Sequence, residues 1–176
     1  MLARLWKSPD FKDLRGEWKL VIAPHDISEK HLVQIEEMFQ GEIIRHSRID
    51  GPLQEALNLS GVILIDSIGL LSSLYAYADF ACIGGGFGKG IHNILEPAAY
   101  GIPIIFGPNH TKFREAESLI EIGAAFQVDS HESFSSTVKK LCFDSAFRTE
   151  SGALAISYMK SQMGASDLII SCLLEK

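Results

Sequence analysis

Short apolar runs alternate along the chain with segments of helical spacing. "WKLVIAPHDI" (18–27) is apolar up to Pro24 and reads as a buried strand. "SEKHLVQIEEMFQG" follows, with Ser28 at the N-cap, Leu32, Ile35 and Phe39 at helical spacing, and Gly41 as the stop. "EIIRHSRI" (42–49) is a more polar strand, suited to an edge, and "GPLQEALNLSG" (51–61) reads as a connection. "GVILIDSIG" (61–69) is a third strand. "LLSSLYAYA" (70–78) is a helix with Leu71, Leu74 and Tyr75 on one side. "DFACIGGG", "IPIIFGP" and "AFQVD" supply three more strands. "NILEPAAYG" and "TKFREAESLIEIGA" are the helices between them, and the remainder reads as mostly helical.

Strands that are apolar throughout, separated by helices, predict an α/β fold: a doubly wound, Rossmann-like parallel sheet covered on both faces. Right-handed crossovers place ligands at the carboxyl ends of such strands. Those ends read "APHD", "IDSIG", "IGGGFGKG", "FGPNH" and "VDS", and they carry the least ordinary residues of the chain.

Composition narrows the class. The 176 residues are 47% hydrophobic and 22% charged, with a net charge of −6, a profile expected of a globular domain that does not bind nucleic acid. Cys82, Cys142 and Cys172 are widely spaced and form no C-x-x-C, which argues for reduced thiols, with neither zinc nor a disulfide framework. No signal peptide is visible, and the runs "GVILI" and "DLIISCLL" fall far short of the ~20 residues of a membrane span.

The loop "GGGFGKGIHN" (84–93) raises the question of chemistry. It is not a Walker A motif, because Ile83 and Gly90 stand where Gly and Ser or Thr are required. It is not G-x-G-x-x-G, because Lys89 or Ile91 would close the fingerprint, and it has no serine for a nucleophile elbow. Gly84, Gly85 and Gly86 still let backbone amides approach an anion closely. A simple strand-to-helix turn accounts for the same glycines. Asn93 and Glu96 match a capping box, so Glu96 has a helix-capping reading beside a ligand-binding one. His25 and His92 each have an ordinary surface reading as well.

Taken together, "GGGFGKGIHNILEPAAYGIPIIFGP" resembles the hallmark of the 3-deoxy-D-manno-octulosonic acid (Kdo) transferases: a glycine loop, H-N-x-L-E-P-A, a small residue, a proline and a G-P turn. "IDSIGLLSSLYAYADFACIGGG" resembles the segment before it, with Leu70 where many members carry glutamate. "LVIAPHDISEK" resembles the start of the family's second domain, and the likeness covers roughly residues 18–130.

The resemblance implies the C-terminal half of a glycosyltransferase B-type fold. Residues 1–18 would be a connector and 19–176 a domain that binds the donor, CMP-Kdo. It implies a donor site drawn from His25, Ser67, Gly69, Gly84, Gly85, Gly86, Lys89, His92, Asn93 and Glu96, with Glu96 on the ribose hydroxyls and the loop on the single phosphate. No metal and no cofactor is expected. The general base and the dock for the lipid A precursor would lie in an N-terminal domain absent from this chain. Any contact with the cytoplasmic side of the inner membrane would come through that domain too. A UDP-sugar transferase or epimerase domain, or a nucleotide-binding module without chemistry, are the other readings these residues allow.

Overall fold

The computed structural model describes residues 1–12 and 14–163. Contacts divide the chain into two compact units, Met1–Leu71 and Ser72 onward.

In the first unit, helix α1 (Leu2–Trp6) precedes strand β1 (Leu20–Ile22), helix α2 (Glu29–Phe39), strand β2 (Ile44–Arg45), helix α3 (Leu53–Ser60) and strand β3 (Val62–Leu64). The three strands are parallel, in the order β1-β3-β2. The wholly apolar strand β3 is the central one, and Val62, Ile63 and Leu64 are all buried. A strand with neighbours on both sides and helices over both faces needs no polar face. The more polar β2 lies at the edge, as its composition suggested. Val21 of β1 is 42% exposed, less buried than its apolar run implies; within its unit β1 has one strand neighbour.

Leu32, Ile35 and Phe39, the three apolar positions read from spacing, are the buried face of α2. They pack with Trp6, Ile43, Val62 and Leu64. Residues 1–18, expected as a connector, thus contribute core: Leu5, Trp6 and Phe11 are all buried. Full burial of such side chains stabilises by roughly 1.5–3 kcal/mol each. Gln40 and Gly41, both at positive φ, end α2. The segment read as a connection at 51–61 contains α3, which starts directly after Gly51-Pro52; the Pro52 carbonyl accepts from the Glu55 amide at 3.0 Å.

The second unit carries helix α4 (Leu71–Tyr75, beginning at the boundary), strand β4 (Ala81–Ile83), helix α5 (Leu95–Ala99), strand β5 (Ile104–Phe106), helix α6 (Arg114–Glu121), strand β6 (Ala125–Gln127), helix α7 (His131–Phe143) and helix α8 (Ser145–Ser161). Its strands are again parallel, in the order β4-β5-β6. The apolar β5 is central and buried along its length. Ile104 and Phe106 pack with Ile91, Ile94, Ala98, Ala116, Leu119 and Ala155 from α5, α6, α8 and the loops. Of the three apolar positions assigned to α4, Tyr75 is buried while Leu71 is 41% exposed. A close glycine crossing joins the end of α5 to α8, where Gly152 faces the Gly101 carbonyl with no room for a side chain.

Cys82 and Cys142 are free thiols; Cys172 lies outside the described residues.

Candidate functional site

The parallel arrangement brings the carboxyl ends of strands together within each unit, and the residues singled out from sequence fall on those ends. In the first unit His25 follows β1, while Ser67 and Gly69 follow β3. The register Ile22↔Leu64 sets the two strand ends side by side. All three residues are exposed. Gly69 has φ +97, which a side chain rarely adopts, although the space around it is open. Asp66, just before Ser67, accepts from the Ser47 amide at 3.0 Å and from its hydroxyl. Burial pushes this carboxyl up, but the two Ser47 bonds outweigh it and hold Asp66 below its ordinary value. Asp26, beside His25, accepts from the Ser28 amide at 2.8 Å, which lowers its carboxyl too.

In the second unit the residues from Gly84 to Glu96 form one contiguous group. β4 ends at Ile83, and the chain enters the glycine loop. The loop bonds to itself: the Gly88 amide donates to the Gly85 carbonyl at 2.8 Å, Gly90 to the same carbonyl at 3.3 Å, and His92 to the Gly84 carbonyl at 3.2 Å. The amides of Gly85, Gly86 and Phe87 take no part in these bonds. Gly85 has φ +87, and a Cβ there would run into the Gly90 carbonyl. At Gly86 a Cβ would lie 2.5 Å from the Gly107 nitrogen. Gly84 has room, its nearest neighbour being the His92 ring at 3.6 Å. Gly85 and Gly86 are therefore glycines for internal reasons, whereas nothing among the described residues demands one at Gly84. Lys89, His92, Asn93 and Glu96 are exposed around this loop.

The capping box expected from Asn93 and Glu96 does not form: α5 has Ile94 at its N-cap with no side-chain cap bond, and Asn93 makes an Asx turn before it instead. Asn93 Oδ1 accepts from the Leu95 amide at 3.0 Å, and α5 begins after Ile94. The Glu96 carboxylate makes no hydrogen bond or ion pair among the described residues, so it is not consumed as a cap. It does act on Tyr75: burial first, and then the Glu96 charge, push the Tyr75 phenol above its ordinary value of 10.0. A reciprocal capping box occurs instead at α7, between Ser130 and Ser133.

Two residues that sequence reasoning passed over lie against the loop or behind it. Asn109, after β5, donates its amide to the Gly86 carbonyl at 2.9 Å and its side-chain Nδ2 to the Gly88 carbonyl at 2.8 Å. His110 is buried, with Nε2 2.6 Å from Gln127 Oε1 and its ring edge-on to Phe106. The only sequence signal for either was their place in "FGPNH", at the end of a strand. Among the described residues no cluster of three His, Cys, Asp or Glu is arranged to hold a metal.

No family model matches the chain. A 3-deoxy-D-manno-octulosonic acid transferase of Chlamydophila psittaci (strain ATCC VR-125 / 6BC) is 33% identical over 124 residues, 69% of this chain and 28% of that protein. Another, from Aquifex aeolicus (strain VF5), is 45% identical over 74 residues, 40% of this chain and 21% of that protein. The chain resembles the Kdo transferases. It spans less than a third of the length of these curated relatives. In fold it is similar to the C-terminal CMP-Kdo binding domain of WaaA from Acinetobacter baumannii, with a TM-score of 0.70 over 86% of this chain and 78% of that one at 22% identity. WaaG, a glycosyltransferase involved in lipopolysaccharide biosynthesis, gives 0.51 over 89% of this chain and 48% of that one, at 16% identity. The fold is thus α/β with parallel sheets, that of the C-terminal half of a glycosyltransferase B-type enzyme. No described helix is long and apolar enough to cross a membrane.

Proposed function

We propose that this chain is the donor-binding domain of a glycosyltransferase that moves Kdo from CMP-Kdo to a lipid A precursor. The observation that carries the reading is the pairing of a glycine loop with an uncommitted carboxylate. Amides of the loop are left out of its internal bonds, and Glu96 on the next helix has no hydrogen-bond or ion-pair partner among the described residues. Phosphate suits the first, and ribose hydroxyls suit the second. The likeness in fold to the C-terminal CMP-Kdo binding domain of WaaA supports cytidine as the base.

In the transfer, an acceptor hydroxyl attacks the anomeric carbon of Kdo, the bond from that carbon to the phosphate oxygen breaks, and CMP leaves with the electron pair. The acceptor proton passes to a general base. The residues here stabilise the departing CMP: loop amides on the phosphate, with Lys89 adding charge, and Glu96 on the ribose. His25, Ser67 and Gly69 lie at the strand ends of the first unit. The general base and the acceptor site are assigned to the portion of the relatives that this chain does not span. Membrane association is assigned to that portion as well.

Titration calorimetry with CMP and UMP tests the reading. CMP should bind better, with a Kd in the ~μM to ~mM range expected for half of a cleft. Equal or tighter binding of UMP would overturn the assignment to CMP-Kdo and favour a UDP-sugar enzyme, whose class shares this fold. Binding of neither nucleotide would overturn the donor site.

A further inference from the structure

We propose that Asn109 is a positioning residue that aims the amides of Phe87 and Lys89 at the donor phosphate; the inference rests on the donor-site reading above. One residue, 21 positions further on than Gly88, holds two carbonyls of the loop: its amide takes Gly86 and its Nδ2 takes Gly88. A trans peptide is planar, and its C=O and N–H point in opposite directions. Turning the Gly86 carbonyl toward Asn109 therefore turns the Phe87 N–H away from it. Turning the Gly88 carbonyl toward Asn109 does the same for the Lys89 N–H. Neither of these amides is used in the loop's own bonds, whereas those of Gly88 and Gly90 are. Two donors two positions apart are thereby directed to one side of the loop, and the exposed Lys89 side chain follows the second of them. Backbone amides turned to one side in this way offer an anion a pair of donors.

Asn109 can act in this way because the turn that carries it is fixed from behind. The His110 amide donates to the Pro108 carbonyl at 2.9 Å, and the Phe113 amide to the His110 carbonyl at 2.8 Å. The His110 ring is pinned between Gln127 and Phe106. Gly86 and Gly107 meet backbone to backbone, which brings the two loops close enough for Asn109 to reach Gly88. This shifts the phosphate donors from Gly84–Gly86, where the sequence placed them, to the amides of Phe87 and Lys89, in the two peptides whose carbonyls Asn109 holds.

The test compares Asn109→Ala and Asn109→Gln with the wild-type chain. Both variants keep the backbone bond to Gly86; alanine loses the bond to Gly88, and glutamine can restore it with a longer arm. The expected result is about threefold to tenfold weaker CMP binding for alanine, the range of one lost hydrogen bond, with substantial recovery in glutamine. Amide NMR of the ligand-free alanine variant should show shifts confined to Phe87, Gly88, Lys89 and their neighbours. Wild-type affinity in Asn109→Ala overturns the inference alone. So does a spectrum changed throughout the unit with no recovery in Asn109→Gln, which marks a general structural role. Absence of CMP binding in the wild type overturns the donor-site reading, and the inference with it.

Discussion

Glu96 separates two roles that sequence cannot distinguish, since a glutamate three residues after Asn93 serves equally as a cap or as a ligand. The structure leaves its carboxylate exposed and without a hydrogen bond among the described residues. Glu96→Gln should therefore leave the melting temperature unchanged. A hydrogen bond to a charged group is worth about 1.5–3 kcal/mol, so CMP binding should weaken about tenfold or more. Calorimetry beside a thermal melt decides: a lower melting temperature with CMP affinity intact would make Glu96 structural. Gly84 gives a companion measurement. It has neither positive φ nor a crowded neighbourhood, so Gly84→Ala should fold normally. If ligand approaches the backbone there, CMP binding falls; unchanged binding places the phosphate elsewhere on the loop. The candidate site was legible to this extent: glycines, histidines, Asn93 and Glu96 stand out by type and spacing. Asn109 did not stand out, because its role depends on two contacts with residues more than twenty positions away.

At the scale of elements, α5 carries Glu96 and α8 sets where α5 lies. Gly101 ends α5 at φ +69, and Gly152 of α8 sits against its carbonyl. Two effects compete in Gly152→Ala. Alanine gains roughly 0.5–1 kcal/mol over glycine inside a helix. Its Cβ would run into a backbone carbonyl that cannot swing aside, and overpacking costs about 1–3 kcal/mol. The clash should win, lowering the melting temperature by a few degrees in a thermal scan followed by circular dichroism. A rise instead would show that the helices separate freely. Most elements were legible from period and punctuation: α2 with all three of its buried positions, and β3 and β5 as runs without a polar face. The helix α3 was not, because Gly51-Pro52 is a turn signal and hides the helix start directly behind it. Strand order was not legible either, since placing β3 between β1 and β2 is a matter of pairing rather than of local composition.

For the molecule as a whole, charge is distributed unevenly in its consequences. Asp26, Glu29 and Asp66 all belong to the first unit and all have lowered carboxyl values. For Glu29 the cause is its hydrogen bond to the buried Arg45, which also holds Glu36 at 2.7 Å. A carboxyl lowered by folding contributes stability that is present above its unfolded value and lost as pH falls through the folded one. The first unit should therefore weaken below about pH 4, the ordinary carboxyl range. Both tryptophans, Trp6 and Trp18, lie in that unit, so their fluorescence reports it alone. A melt by tryptophan emission that is the same at pH 3 and pH 7 would contradict this. The chain by itself should also transfer no Kdo. On the proposed function, with acceptor site and base outside this chain, it forgoes the about 7–11 kcal/mol that proximity contributes and a further ~10²–10⁴-fold from the base. Kdo-modified lipid in the mass spectrum after incubation with CMP-Kdo and a lipid A precursor would place the base and acceptor site within these 176 residues. The contact of Gly86 with Gly107 bears on how such a sequence can drift. A Cβ on either glycine would lie 2.5–2.9 Å from atoms of the other loop, so neither position can accept a side chain while its partner waits to adjust. Mutational paths through this contact are closed one step at a time. A library randomised at both positions and selected by capture on immobilised CMP should return glycine twice.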